Sequence, residues 1–311
     1  MTRRRRGTAV GAFAIGALGS VVASALLKDR PPGGVERWTR ENHLGRPVTL
    51  FEGPAYTVGA VAGAIGGGAG APAAVAGLGA AAFGALDDLA GDSSSKGLHG
   101  HLAAVGRGEL TTGAVKIAGL AATGLVTARM LDWSGEPTRA RATLVGGAVI
   151  AGSANIANLL DLRPGRTLKV VLLFAAPLVA GRRGTDLSTV TAAAAAGAAI
   201  AELPGDLAGR SMLGDTGANS AGALLGTALV ARTGLRGRLL ALAVVTALTL
   251  ASEKVSFTRV IESTPGLRDL DALGRQSPQS PQSPASLSSL SSPSPPQSPS
   301  SPSSPSSQGS L

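Results

Sequence analysis

Apolar, Ala/Gly-rich stretches recur along the chain from residue 9 to residue 251, and most end in a short polar or charged segment. Their length and hydropathy predict nine membrane spans, near residues 9–27, 55–70, 72–86, 113–131, 141–160, 168–181, 187–203, 217–231 and 237–251. Several fall short of the roughly 20 residues that a span prefers. The pair 55–70 and 72–86 is divided at Pro72, because one helix of that length would overrun the bilayer. Residues 9–27 are long for a signal peptide and are followed by more membrane, so they read as a first span. Nine spans put the two termini on opposite sides. They gather segments 28–54, 87–112, 161–167, 204–216 and 252–275 at one membrane face. Basic residues there, from Lys28 to Arg275, make that face cytoplasmic by the positive-inside rule, against an opposing tally at Arg3 to Arg6 and near 129–141, 182–183 and 232–238. The expected fold is all-α, a polytopic transmembrane bundle over residues 1–275 in the cell membrane, with its site on the cytoplasmic face.

Three polar clusters interrupt this pattern, all on the same expected face. Asp87 and Asp88 close the run AAVAGLGAAAFGAL. Asn155, Asn158 and Asp161 close VGGAVIAGSANIANLLD. Asp215 lies in LGDTGAN, before another apolar run. Ionisable groups at membrane depth are costly and usually serve a polar interior. Adjacent carboxylates such as Asp87 and Asp88 repel each other unless a cation, a lysine or water compensates, and either a metal-phosphate or base role or a solvated loop start fits them. Asn155, Asn158 and Asp161, spaced by three, share a helix face. They suit Mg²⁺, which takes carboxylate and carbonyl oxygens and keeps waters, or interhelical amide hydrogen bonding. Asp215 between Gly214 and Gly217 suits an N-cap, or a cation beside a helix N-terminus facing phosphate. Lys96, His99, His101 and Arg107 fall in the following loop, with Lys116 just inside the next helix. The lysines suit phosphate binding, with snorkelling the alternative for Lys116. Gly59, Gly63 and Gly67 form a small-residue stripe of the kind that lets membrane helices approach closely.

Composition adds three limits. The chain is 44% hydrophobic and 15% charged, and only 3% aromatic, unlike a soluble domain of this size. The net charge of +9 is spread over short loops with no aromatic-interleaved patch, which argues against a nucleic-acid partner. There is no cysteine, so thiol chemistry is excluded. Residues 276–311 are Ser, Pro and Gln with a few apolar residues, a composition that cannot bury a core and predicts a disordered tail.

In this order, the clusters resemble the motifs of the polyprenyl-phosphate N-acetylhexosamine-1-phosphate transferase family. It includes phospho-N-acetylmuramoyl-pentapeptide transferases and bacterial GlcNAc-1-phosphate transferases. The resemblance covers about residues 10–275. It rests on Asp87-Asp88 followed by Lys96-Gly97-Leu98, on Asn155, Asn158, Leu159 and Asp161 as N-x-x-N-L-x-D, and on Gly214-Asp215-Thr216-Gly217 as G-D-x-G. Residues 46–59 loosely resemble the Gly-rich first cytoplasmic loop. Two departures stand out: Pro164 replaces an aspartate that usually follows the second motif, and the His-rich last loop is absent.

The resemblance implies a Mg²⁺-dependent enzyme, with Mn²⁺ as a substitute, that moves a sugar-1-phosphate from a UDP-sugar to polyprenyl phosphate and releases UMP in cell-wall or envelope polysaccharide synthesis. Asp215 and Asn158 would hold the metal. Asp87 or Asp88 would position or deprotonate the lipid phosphate, with Asn155 and Asp161 supporting the site. Lys96, Lys116 and Arg259 would bind phosphates. The expected partners are the lipid, the UDP-sugar and the membrane, with a homodimer among the options. The alternatives are a catalytically degenerate relative serving as a membrane scaffold in envelope assembly, and an ion-coupled transporter, which would need carboxylates nearer the bilayer midplane.

Overall fold

The computed structural model describes residues 8–42, 44–90, 111–132, 140–180 and 184–275. Among these, nine helices lie over the nine predicted segments: α1 (Ala9–Asp29), α2 (Glu52–Gly67), α3 (Ala71–Ala90), α4 (Thr112–Leu131), α5 (Ala140–Leu160), α6 (Arg166–Val179), α7 (Leu187–Leu207), α8 (Gly214–Arg232) and α9 (Leu235–Ser252). Two short helices follow, α10 (Phe257–Ser263) and α11 (Pro265–Ala272). The expected tail, 276–311, lies outside the described residues.

Six helices, α1, α3, α4, α5, α7 and α9, are long and apolar enough to cross a membrane, which makes this a multi-pass membrane chain. The other three over predicted spans fall short for different reasons. With 16 and 14 residues, α2 and α6 are too short. Helix α8 has 19 residues, but its sequence carries Asn219, Ser220 and Thr227, all buried. It packs against α2, α3, α5 and α7 and is buried along most of its length. A helix enclosed by other helices has no need of a lipid-matched surface. The reverse holds for α9, where Leu240, Val244 and Leu250 are exposed and Arg238 is the one buried residue.

Small side chains set the packing distances. On α2, the Gly59, Gly63 and Gly67 stripe faces α1: a Cβ on Gly63 would stand 2.8 Å from the Gly16 nitrogen, and one on Gly67 2.7 Å from the Ala12 Cβ. Backbone-to-backbone contact of this kind gives dispersion attraction where lipid offers no hydrophobic drive. The all-α expectation needs one correction. Between α1 and α2 a short antiparallel hairpin forms from β1 (Thr39–Glu41) and β2 (Pro47–Thr49), with Arg40 opposite Val48. Its second strand also holds the segment before α8, since the Met212 N–H donates to the Thr49 carbonyl at 3.0 Å. Val48 and Thr49 are β-branched and supply this strand's propensity, but a three-residue strand is too short to stand out in a hydropathy pattern.

Candidate functional site

The ends of α3, α5 and α7 and the starts of α2, α4, α6 and α8 meet at one end of the bundle. There the Lys116 ammonium, one turn into α4, donates to Asp87 Oδ2 at 2.7 Å and also pairs with Asp215 Oδ2. Asp88 turns the other way and holds the start of α8. Its Oδ1 accepts from the Asp215 N–H at 3.0 Å, and its Oδ2 accepts from the Thr216 N–H at 2.8 Å and the Thr216 hydroxyl at 2.6 Å. A carboxylate there satisfies orphan N–H groups and complements the positive end of the helix dipole. Arg40 of β1 donates to the Asp88 carbonyl.

Two glycines make this geometry possible. Gly214 has φ +59°, and a Cβ on it would stand 3.0 Å from both Asp88 oxygens. A Cβ on Gly84, one turn before Asp88, would lie 2.7 Å from the Thr216 nitrogen. Larger residues at these places would push α3 and α8 apart and open the pair of contacts that Asp88 makes.

The asparagines come from α5, which runs antiparallel to α8: a Cβ on Gly226 would meet Ile150, and one on Gly222 would meet Ala154. The helical register therefore carries Asn158 toward the first turn of α8. Asn155 and Asn158 are half-buried, and neither side chain has a hydrogen-bond partner among the described residues. Asp161 follows in the loop to α6 and has Asp215 and Asp206 as electrostatic neighbours. Burial first, and Asp206 second, push its carboxyl well above the usual carboxylate range, while the Thr167 hydroxyl and the Gly214 N–H act in the opposite sense. Its Oδ2 is buried with no hydrogen-bond partner.

Asp87, Asp88, Lys116, Asp161 and Asp215 are thus brought together. Arg259 is exposed on α10. Lys96 and the neighbouring histidines lie outside the described residues. The basic residue that does dock beside this face is Arg166, only 3% exposed. Its Nε and Nη2 donate to the two oxygens of Asp271 on α11, at 2.8 and 3.1 Å, and its Nη1 reaches the Thr258 hydroxyl at 3.1 Å. Arg275 bonds Asp271 at 3.0 Å and the Pro164 carbonyl at 3.2 Å, and Lys169 donates to the Asp271 carbonyl at 2.6 Å. Helices α10 and α11 are thereby strapped over the loop between α5 and α6. Burial opposes ionisation of Asp271, but its hydrogen bonds from Arg166 and Arg275 outweigh it and hold the carboxyl below its ordinary range.

Three acidic groups here were not singled out from the sequence. Glu202 in α7 accepts from Ser20 at 2.7 Å and Ser24 at 2.8 Å, tying α7 to α1. Glu52, 1% exposed at the start of α2, accepts from the Ser211 hydroxyl at 2.6 Å. Asp206, 3% exposed, lies near the end of α7. A signal existed for two of them, since Glu202 and Asp206 are charges within an otherwise apolar helix.

Lys116 meets two carboxylates, Asp87 and Asp215, and the nearby Asp161 Oδ2 is buried without a hydrogen-bond partner. Oxygen ligands in excess of cations suit a hard divalent ion that keeps part of its water shell. Among the described residues, no three acidic or histidine side chains already converge on one ion position. No protein-family model matches the chain, and no characterised protein matches its sequence.

Proposed function

We propose that the chain is a membrane transferase that moves a sugar-1-phosphate from a UDP-sugar to polyprenyl phosphate, with release of UMP, at the cytoplasmic face of the cell membrane. One observation carries the reading: Lys116 lies between Asp87 and Asp215 at one end of a membrane bundle, while Asp88 holds the first turn of α8. A lysine and several carboxylates around a helix N-terminus suit phosphates bound together with a cation.

Asp215 and Asn158 are the residues to hold Mg²⁺ or Mn²⁺. When bound, the ion supplies charge neutralisation on the diphosphate and alignment for an in-line displacement. An oxygen of the lipid phosphate attacks the sugar-bearing phosphorus, the bond to the UMP oxygen breaks, and UMP leaves. A phosphate monoester is already largely a dianion at neutral pH, with a second pKa of about 6. Asp87 therefore serves chiefly to orient the acceptor, and Lys116 to steady phosphate oxygens. Asp88 is a positioning residue, since its oxygens are engaged by α8. Asn155 and Asp161 support the site from α5 and its loop. Lys96 and Arg259 are secondary phosphate contacts. All nine predicted segments act as spans in this reading, with α2, α6 and α8 enclosed by the longer helices.

A second reading, a catalytically degenerate relative acting as an envelope scaffold, is favoured by the strap. Arg163 pairs with Glu262, Arg166 and Arg275 pair with Asp271, and Pro164 stands where the resemblance expects an aspartate. These cations are engaged within the protein instead of facing a nucleotide. The deciding experiment is UMP release by the purified full-length chain in detergent, with Mg²⁺, undecaprenyl phosphate and a panel of UDP-sugars. Release that needs metal, lipid and Asp215 supports the transferase. A folded protein that releases no UMP and binds no UDP-sugar at millimolar Mg²⁺ supports the scaffold.

A further inference from the structure

Three helices long and apolar enough to cross a membrane, α5, α7 and α9, all end at the strap. Helix α9 ends at Ser252, and only residues 253–256 precede α10, a reach of at most about 18 Å. The Lys254 and Val255 N–H groups donate back to the Ala251 carbonyl at 3.0 and 2.8 Å, so the chain turns at once. Just after α5, Arg163 pairs with Glu262 of α10 at 3.1 Å. Beyond α11, a Cβ on Gly274 would stand 3.1 Å from the side chain of Leu207, the last residue of α7. The strap therefore runs from the end of one such helix to the end of another, at the level of the lipid headgroups.

Its outer surface is apolar. Leu267 and Leu270 in α11, Leu273 just after it, and Val255 and Val260 before it are each between 41% and 66% exposed. The leucines recur every three residues and share one side of the helix. Arg268, two residues before Leu270, projects from the opposite side, with its side chain 58% exposed. The turn of the helix is fixed by Asp271, which accepts from Arg166 and Arg275, and by Lys169, which donates to the Leu270 carbonyl at 3.2 Å. A single exposed leucine needs no explanation, but a stripe held uncovered by polar anchors does. Residues 253–275 carry four basic and four acidic side chains. No net charge draws the segment to lipid, which leaves apolar burial as the drive.

We propose that the strap is an interfacial membrane anchor: Leu267, Leu270 and Leu273 dip into the boundary between headgroups and acyl chains of the leaflet where α9 ends, and Arg268 faces water. The occupant is phospholipid, because the stripe continues the lipid-facing surface of α9, whose Leu248 and Leu250 are exposed close to its end. Lys254 and Arg259, both exposed, reach the headgroup layer from the same segment. Through the pair of Arg166 and Asp271, the anchor also sets the depth of the loop between α5 and α6, which carries Asp161. The proposal does not depend on the transferase reading.

The chain has no cysteine, so one introduced cysteine takes a spin label at one place. The test labels Leu270→Cys and Arg268→Cys in the full-length protein, held in nanodiscs of phosphatidylethanolamine and phosphatidylglycerol. Collisions with oxygen, which concentrates in lipid, are compared with collisions with a water-soluble nickel complex. The oxygen-to-nickel ratio at Leu270→Cys should exceed that at Arg268→Cys several-fold. It should persist in about 1 M salt, where charge interactions are screened within about 3 Å. Gel filtration identifies a variant that fails to fold, and Leu267→Cys then takes the place of Leu270→Cys. Equal ratios at the two positions, both open to nickel, put the stripe in water and overturn the anchor. A label at Leu270→Cys shielded from both reagents means that protein covers the stripe, a second copy or residues 276–311, and overturns it as well. A ratio that collapses in salt overturns apolar insertion as the drive.

Discussion

The two ends of the bundle handle buried charge in opposite ways. At the end away from the candidate site, Asp132 after α4 and Arg238 of α9 form a pair whose side chains are 10% and 8% exposed. Arg238 donates to both Asp132 oxygens, at 2.6 and 2.9 Å, and to the carbonyls of Val230, Thr233 and Ala142, while Thr143 donates to Asp132 at 3.0 Å. One anion meets one cation and the remaining donors are used. At the site end, Lys116 pairs with both Asp87 and Asp215, and buried oxygens of Asp161, Asp206 and Glu52 are left without hydrogen-bond partners. The first arrangement is closed and has nothing left to offer a ligand. The second leaves buried carboxyl oxygens free to take a proton or a ligand. Both consist of buried charges in a membrane protein, so burial alone does not mark a site; incomplete pairing does.

The comparison breaks first at the closed pair. Arg238→Met should lower stability by about 3–5 kcal/mol, because it leaves Asp132 buried and uncompensated, while protein that stays folded should keep its UMP release. Thermal unfolding in detergent checks this, and a double variant with Asp132→Leu should recover much of the loss. At the site end the order reverses. Lys116→Gln should cut UMP release by about 100-fold or more, the scale for removing a preorganised electrostatic group, with a much smaller effect on the unfolding midpoint.

Between these extremes stands the strap. Asp271→Asn weakens the anchor of Arg166 and Arg275 and should loosen α10 and α11 by about 1–3 kcal/mol, seen as faster proteolysis within residues 253–275. Acid should act in the same way. The folded-state pKa of Asp271 is depressed, so its contribution is present above the unfolded carboxylate value of about 4 and is lost as pH falls through the folded value. The strap should therefore hold at pH 7 and 5 and release at strongly acid pH. The smallest effect tests packing away from both clusters. Gly63→Ala forces a Cβ to within 2.8 Å of the Gly16 nitrogen and should cost about 1–2 kcal/mol, with turnover of the folded fraction unchanged.

Much of the fold was legible because membrane helices are written in long apolar runs, and each predicted segment coincides with a helix. The Asp87, Asp88 and Asp215 clusters were legible for the complementary reason: charges that end apolar runs stand out. What escaped notice depended on three-dimensional enclosure. Helix α8 is too polar for lipid because its sides face other helices. Arg232 and Arg238 count against the positive-inside tally, yet they are bound to backbone carbonyls and Asp132, with Arg232 donating to the Leu178 carbonyl at 2.8 Å. They serve packing, and their chemical type cannot reveal that. Arg166 did not stand out either, since one-dimensional sequence does not say which arginine finds the Asp271 carboxylate. Glu52 and Asp206 are 154 positions apart and become neighbours only when α2 and α7 pack.

The most direct test compares stability and UMP release in Asp215→Asn, measured side by side on one purified preparation. If the site-end charges are kept for chemistry, the unfolding midpoint should hold or rise, because Asp87 still pairs Lys116 while one carboxylate fewer repels Asp87 and Asp88, and UMP release disappears. A midpoint that falls as far as that of Arg238→Met, with UMP release retained, would show that the two ends are alike and that the Lys116 cluster is structural.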